Sequence, residues 1–181
     1  MKRRVVLKEK EKITAFRPNN FFADQLVYAR NQTLRRLMEA PASQQMRLQE
    51  AGRIGGVQFL EDTDCRDVHA LGFALESVGH PLFWITGGKD AMLNYASLLP
   101  VVAEKVKAVI GIGMDNSRIV SVFSPYVEVF DCRSMEQAVK TAFYSAESGD
   151  VVLLSSPCAC DGRYADVQER SLRFREAVKE L

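Results

Sequence analysis

The stretch Phe59–Ala70 (FLEDTDCRDVHA) concentrates the groups that could do chemistry. The acids Glu61, Asp62, Asp64 and Asp67 surround a single base, Arg66, just after the apolar Val57 and Phe59. A helical pattern follows. That order describes a loop at the carboxyl end of a strand, opening onto a helix start, which is where ligands sit in open α/β sheets. The free N–H groups of a helix start favour anions. The side chains here are acidic, so backbone and side chains favour opposite charges.

Other strand-end loops are expected at 87–92, 113–117, 131–133 and 155–163. Gly87-Gly88 would let backbone approach a ligand closely, with Lys89 and Asp90 alongside, although any tight turn uses such a pair. No phosphate-binding Gly-x-x-x-x-Gly-Lys-Ser/Thr loop occurs, and Gly111-Ile-Gly113 has only the first two glycines of a dinucleotide fingerprint. Cys158 and Cys160 share a loop, but neither histidine (His69, His80) is near them in sequence, and Asp161 would raise rather than lower a thiol pKa. Cys-x-Cys is the wrong spacing for a zinc knuckle, so no intrinsic metal is expected. His69, in the first turn of a helix, reads as a surface or capping residue. These residues define a ligand cleft without a complete catalytic set.

The elements that must position them follow from the apolar pattern. Arg53–Leu60 reads as strand with a tight turn at Gly55-Gly56, then helix over 67–78, stopped by Gly79-His80-Pro81. Leu82–Thr86 is a continuous apolar run, as in a strand buried on both faces. Helix is expected over 95–106, strand over 107–112, helix over 115–123 and strand over 126–130. Helix over 134–146 follows, with Ser134 as cap and Gln137 at capping-box spacing. Strand 151–154 and a helix from about residue 164 complete the alternation. Strands and helices alternating in this way predict a doubly wound, mostly parallel, Rossmann-like α/β sheet over residues 46–181.

Residues 1–45 differ. Lys2, Arg3, Arg4, Lys8, Lys10 and Lys12 make the terminus basic, best explained as a solvated arm. Phe21, Phe22, Leu26, Val27, Leu34, Leu37 and Met38 recur at helical spacing up to Pro41. The expectation is a helical N-terminal extension whose 19–38 stripe packs on the body, on a protein partner, or on a second copy. A net charge of +1 gives no whole-chain case for nucleic acid. No apolar run reaches the ~18 residues of a membrane span, and the N-terminal one is too short for a signal peptide, so the cytoplasm is the expected location. Four cysteines fit that compartment, where they need not pair.

Several spaced motifs from Met46 onward resemble the C-terminal domain of the Mur ligases, in particular the branch that adds glutamate. Met46-Arg-Leu48 and Ile54-Gly-Gly-Val-Gln-Phe59 resemble the start of that domain. Glu61–Asp67 falls where the family has Asn-Asp-Ser-Lys-Ala-Thr-Asn. Trp84-Ile-Thr-Gly-Gly-Lys-Asp90 and Gly149-Asp-Val-Val-Leu-Leu-Ser155 resemble two further family stretches, and Arg170 and Phe174 match its final helix. The resemblance implies ATP- and magnesium-dependent amide-bond formation on a UDP-muramoyl peptide, in which this domain receives the amino acid and two others hold UDP and ATP. It also implies that Arg47, Asp62, Gly87, Gly88 and Asp90 keep a partial ATP/ADP site.

The amino-acid side departs from the family at almost every position. Thr63 precedes Asp64, which replaces a lysine; Arg66 replaces a threonine; Ala91 replaces a second lysine; Cys160 replaces a serine; Val167 replaces an aromatic. A dianionic amino acid would meet repulsion where the family offers cations. The leading expectation is a non-catalytic binding or regulatory module related to peptidoglycan-precursor synthesis. One alternative is part of a split ATP-dependent ligase using another amino acid, with the missing domains supplied by another chain. The other is a structural dimerisation module.

Overall fold

The computed structural model describes residues 14–16, 48–89 and 93–181. The 19–38 helix, Arg47, Asp90 and Ala91 lie outside the described residues. The strands are β1 (Thr14–Phe16), β2 (Gln49–Ile54), β3 (Val57–Asp62), β4 (Leu82–Thr86), β5 (Val106–Gly111), β6 (Glu128–Asp131) and β7 (Val151–Ser155). The helices are α1 (Val68–Ser77), α2 (Leu99–Lys105), α3 (Ser117–Phe123), α4 (Met135–Ser145) and α5 (Val167–Lys179), with a 3-10 turn at Tyr95–Leu98.

One sheet runs in the order β1-β6-β5-β4-β7-β3-β2. Its five inner strands pair parallel, and the edge strands β1 and β2 pair antiparallel. Thr14–Phe16, within the segment assigned to the N-terminal extension, thus adds a strand to the main sheet. The expected strand 53–60 is instead a hairpin of β2 and β3. Gly55 (φ 59°) and Gly56 (φ 84°) form its two-residue turn, the left-handed pair that a tight hairpin demands.

β4 and β7 are buried along their whole length, which explains their unbroken apolar sequences. Alternate residues supply two cores. Leu82, Trp84, Val109 and Leu153 pack with α1, α2 and α3 through Leu71, Leu75, Val102, Ile119 and Phe123. Phe83, Ile85, Ile110, Val152 and Phe59 pack with α4 and α5 through Ala138, Val139, Ala142, Phe174 and Ala177. The sheet is therefore doubly wound, as its sequence pattern predicts.

Helix ends follow side-chain chemistry. Asp67, Ser134 and Asp166 cap α1, α4 and α5 by accepting from the N–H groups of Ala70, Gln137 and Glu169. The capping box at α4 is displaced by one residue: Gln137 Oε1 accepts from the N–H of Arg133 at 2.6 Å, not from that of Ser134. The helix expected over 95–106 is divided because Pro100, which has no N–H to give, sits in the first turn of α2.

Phe59, fully buried, touches the rings of Phe143 and Phe174. Phe59→Ala is expected to destabilise the domain by about 3–5 kcal/mol in urea titration. Leu172→Ala, on the exposed side of α5, should stay within about 0.5 kcal/mol of wild type.

Candidate functional site

In this topology β3, β4 and β5 lead to helices on one face, while β6 and β7 lead to helices on the other. Crevices can open only where neighbouring strands diverge in this way, at β5/β6, β4/β7 and β7/β3. The candidate residues fall around them. Thr63, Asp64 and Arg66 follow β3, Gly87 and Gly88 follow β4, Cys160 follows β7, and Val167 opens α5.

At β5/β6 the crevice is filled from within. The buried Asn116 side chain accepts from Gly113 N–H at 2.9 Å and donates to Gly113 C=O at 3.1 Å and Asp131 Oδ1 at 2.7 Å. It lies 2.7 Å from where a Cβ on Gly111 would stand. The paired glycines of this loop make room for Asn116.

At β4/β7 the filler is Arg170, only 4% exposed. Its guanidinium donates to the carbonyls of Gly87 (3.5 Å), Cys158 (3.2 Å) and Ser156 (3.3 Å). No ion pair links it to a carboxylate of the described residues. Ser156 Oγ joins the same loops, donating to Gly87 C=O at 2.8 Å and accepting from Gly87 N–H at 3.3 Å. Lys89 N–H donates to Ala159 C=O at 2.8 Å. The Gly87-Gly88 pair serves this packing directly. A Cβ on Gly87 would meet Gly113 N at 2.5 Å, and one on Gly88 would meet Ala159 O at 2.5 Å. The space beside both glycines is occupied by the protein's own backbone.

The acidic stretch is divided by the pleat of β3, which reaches Asp62. Glu61, 1% exposed, faces α5. There Ser171 Oγ donates to it at 2.5 Å and Arg175 Nε at 2.6 Å, and a second contact comes from Arg175 Nη2. It is a buried anchor for the last helix and no part of a ligand loop. Asp67 is the cap of α1. Asp62, 5% exposed, faces the opposite side. It accepts from Ser155 Oγ at 2.9 Å and from Asp64 N–H at 3.1 Å. Burial raises its pKa, outweighing the lowering by the Ser155 hydroxyl and the loop amides; Asp64 raises it further. Beside it, burial pushes the Cys65 thiol up to about 12. Asp64 and Arg66 are exposed, and Thr63, Cys160 and Val167 are half-buried. Among the described residues no group of acids, histidines and cysteines is placed to hold a metal ion.

Two groups here were not singled out from sequence. Thr86, at the end of β4, is fully buried, and its hydroxyl is the one buried side-chain polar atom without a hydrogen-bond partner among the described residues. Arg170 was noted only as a motif match. Its signal was its place on the 170/174/177/178 stripe, an arginine on the buried face of a helix.

Two substitutions probe this layer. Arg175→Met leaves Glu61 buried with only the Ser171 hydroxyl, and should cost about 3 kcal/mol in denaturant unfolding. Asp62 has a raised native pKa, so the native state holds its proton more tightly than the unfolded chain does. Stability contributed by that proton is present below the ordinary value of 3.8 and is lost as pH rises through the native value. Asp62→Asn should therefore raise the urea midpoint at pH 7.5, and the gain should shrink toward pH 4.

No protein-family model matches the chain. It is 39% identical over 158 residues to the UDP-N-acetylmuramoylalanine–D-glutamate ligase of Christiangramia forsetii, covering 87% of this chain and 36% of that protein. With the corresponding ligase of Cytophaga hutchinsonii it is 38% identical over 136 residues, 75% of this chain and 30% of that one. Among solved structures, a ligase domain from Haemophilus ducreyi covers 72% of this chain and 99% of its own, at 10% identity and TM-score 0.49. The MurF ligase of Thermotoga maritima covers 75% and 31%, at 14% identity and TM-score 0.47. The chain spans about a third of the length of the curated relatives it matches. Over most of its length the chain is similar to one segment of the UDP-N-acetylmuramoylalanine–D-glutamate ligases.

Proposed function

We propose that this chain is a module of the glutamate-ligase C-terminal type that has lost glutamate recognition and serves a non-catalytic, binding or regulatory role in peptidoglycan-precursor synthesis. The observation that carries this reading is the charge at the loop after β3. Asp64, exposed where the resemblance expects a lysine, stands close enough to the buried Asp62 to raise its pKa. A dianionic amino acid approaching this loop meets the exposed Asp64 carboxylate where the resemblance expects a cation. With Ala91 in place of a second lysine, two charge-assisted bonds worth about 1.5–3 kcal/mol each are missing. A millimolar Kd represents only about 4 kcal/mol, so their loss is enough to remove useful affinity.

A partial nucleotide site is part of the same proposal. Arg47, Asp62, Gly87, Gly88 and Asp90 correspond to the nucleotide side of the resemblance; because the space beside both glycines is taken by backbone, weak binding of ADP or ATP would rest on Arg47, Asp62 and Asp90, without a resident metal. The partner is a protein, or a second copy engaged through the 19–38 segment.

Isothermal titration with D-glutamate, ADP and ATP separates these elements. The expected outcome is no saturable heat with D-glutamate at concentrations up to about 10 mM, where a millimolar site would be nearly full. ADP should bind weakly or not at all. Saturable D-glutamate binding, or ligation activity with a UDP-muramoyl peptide, would overturn the proposal.

A further inference from the structure

Asp62 occupies an unusual place for a carboxylate. It is the last residue of β3, 5% exposed, and covered by the 63–66 loop. Its two oxygens join different elements: Oδ2 takes the hydroxyl of Ser155 at the end of β7, and Oδ1 takes the N–H of Asp64 in the loop. No cation of the described residues forms an ion pair with it. The ionisable groups around it are Asp64, Cys65 and, through Cys65, Asp67 and Arg170. Glu61, on the same strand, faces away toward Arg175.

We propose that the 63–66 loop is a proton-linked flap pinned by Asp62, closed over the strand ends when that carboxyl is neutral and loosened when it is ionised. Closing the loop removes the carboxylate from water. A buried charge with no counter-ion is costly, whereas a neutral acid in the same place keeps its hydrogen bonds. When the loop lifts, the carboxyl is hydrated and returns to its ordinary affinity for protons. Because the closed form holds the proton more tightly, acid favours closing and rising pH favours opening. The direction found for Asp62, with burial outweighing the bonds from Ser155 and Asp64, agrees with this sign. The flap carries Asp64 and Arg66 at the mouth of the β7/β3 crevice. Its opening therefore governs access there whatever the ligand.

Cys65 is a built-in reporter. It is half-buried on the same loop, with its thiol directed at the Asp67 carbonyl 3.8 Å away. Labelling with dithiodipyridine, resolved peptide by peptide by mass spectrometry, compares wild type with Asp62→Asn at matched pH; the Asp62 charge raises the Cys65 pKa, so thiol chemistry alone favours the variant and cannot mimic the expected excess in wild type. The expected ratio of wild-type to variant labelling at Cys65 falls toward one as pH is lowered toward 3.8 and rises several-fold toward pH 8. A ratio that stays at one, or a variant that labels faster, overturns the proposal. If the variant does not fold, the protection factor of the Asp64 amide in wild type decides the matter alone. It should fall with a midpoint above 3.8 as pH rises, and a flat profile would sink the idea.

Discussion

The carboxyl end of a parallel sheet presents a row of backbone groups that later loops must satisfy or leave to water. Here the buried guanidinium of Arg170 satisfies three carbonyls from two loops, and much of the upper part of the molecule depends on it. It fixes Gly87 relative to Ser156 and Cys158, and through α5 it ties both to the core around Phe174. A guanidinium suits this task because its donors lie in one plane and its charge is spread over several atoms. Carbonyl dipoles, not a carboxylate of the described residues, face the charge. Any ligand entering at β4/β7 would have to displace these bonds or coexist with them.

The same end of the sheet holds Asp62, a buried acid under a thin loop, one strand over from β7. Cys65 interacts with both Arg170 and Asp62, and Ser156 and Ser155 bond to them respectively. Arg170 reaches from α5 to the loops after β4 and β7 and directs its charge at three carbonyls, whereas Asp62 ends β3 and bonds both β7 and the 63–66 loop. A buried charge fully engaged by carbonyls is structural. A buried acid held in part by a loop is where local opening is least costly.

Much of the fold was legible because it rests on local rules. Continuous apolar runs gave β4 and β7, Ser134 as cap gave the start of α4, and the Gly55-Gly56 pair gave a turn. The hairpin was missed as such because two short strands with a polar outer edge look like one interrupted strand. The site was less legible, since its groups are assembled across the sheet. Glu61 and Asp62 are adjacent in sequence and read as one acidic cluster, yet the pleat sends them to opposite faces. One becomes a buried anchor for Arg175 and the other a loop pin. Likewise Gly111 and Gly113 match only the first two glycines of a dinucleotide fingerprint and read as a strand ending in a turn, and their use became visible only when Asn116 filled the space they leave.

This separation between frame and loop bears on how the loop can vary while the fold is kept. The residues that hold the strand ends together (Arg170, Ser155, Ser156, Asn116) bond to backbone or to the carboxylates that end β3 and β6. Their role does not depend on the exposed side chains of the 63–66 loop. Asp64 and Arg66 are exposed on the loop, where reversing a charge usually alters stability by less than about 0.5 kcal/mol. Selection on the bound ligand can therefore act on 63–66 with little interference from selection on folding. The exception is Asp62, which belongs to both sets: it ends a core strand and it pins the loop. A position of that kind changes least readily, because a substitution there alters the frame and the site together.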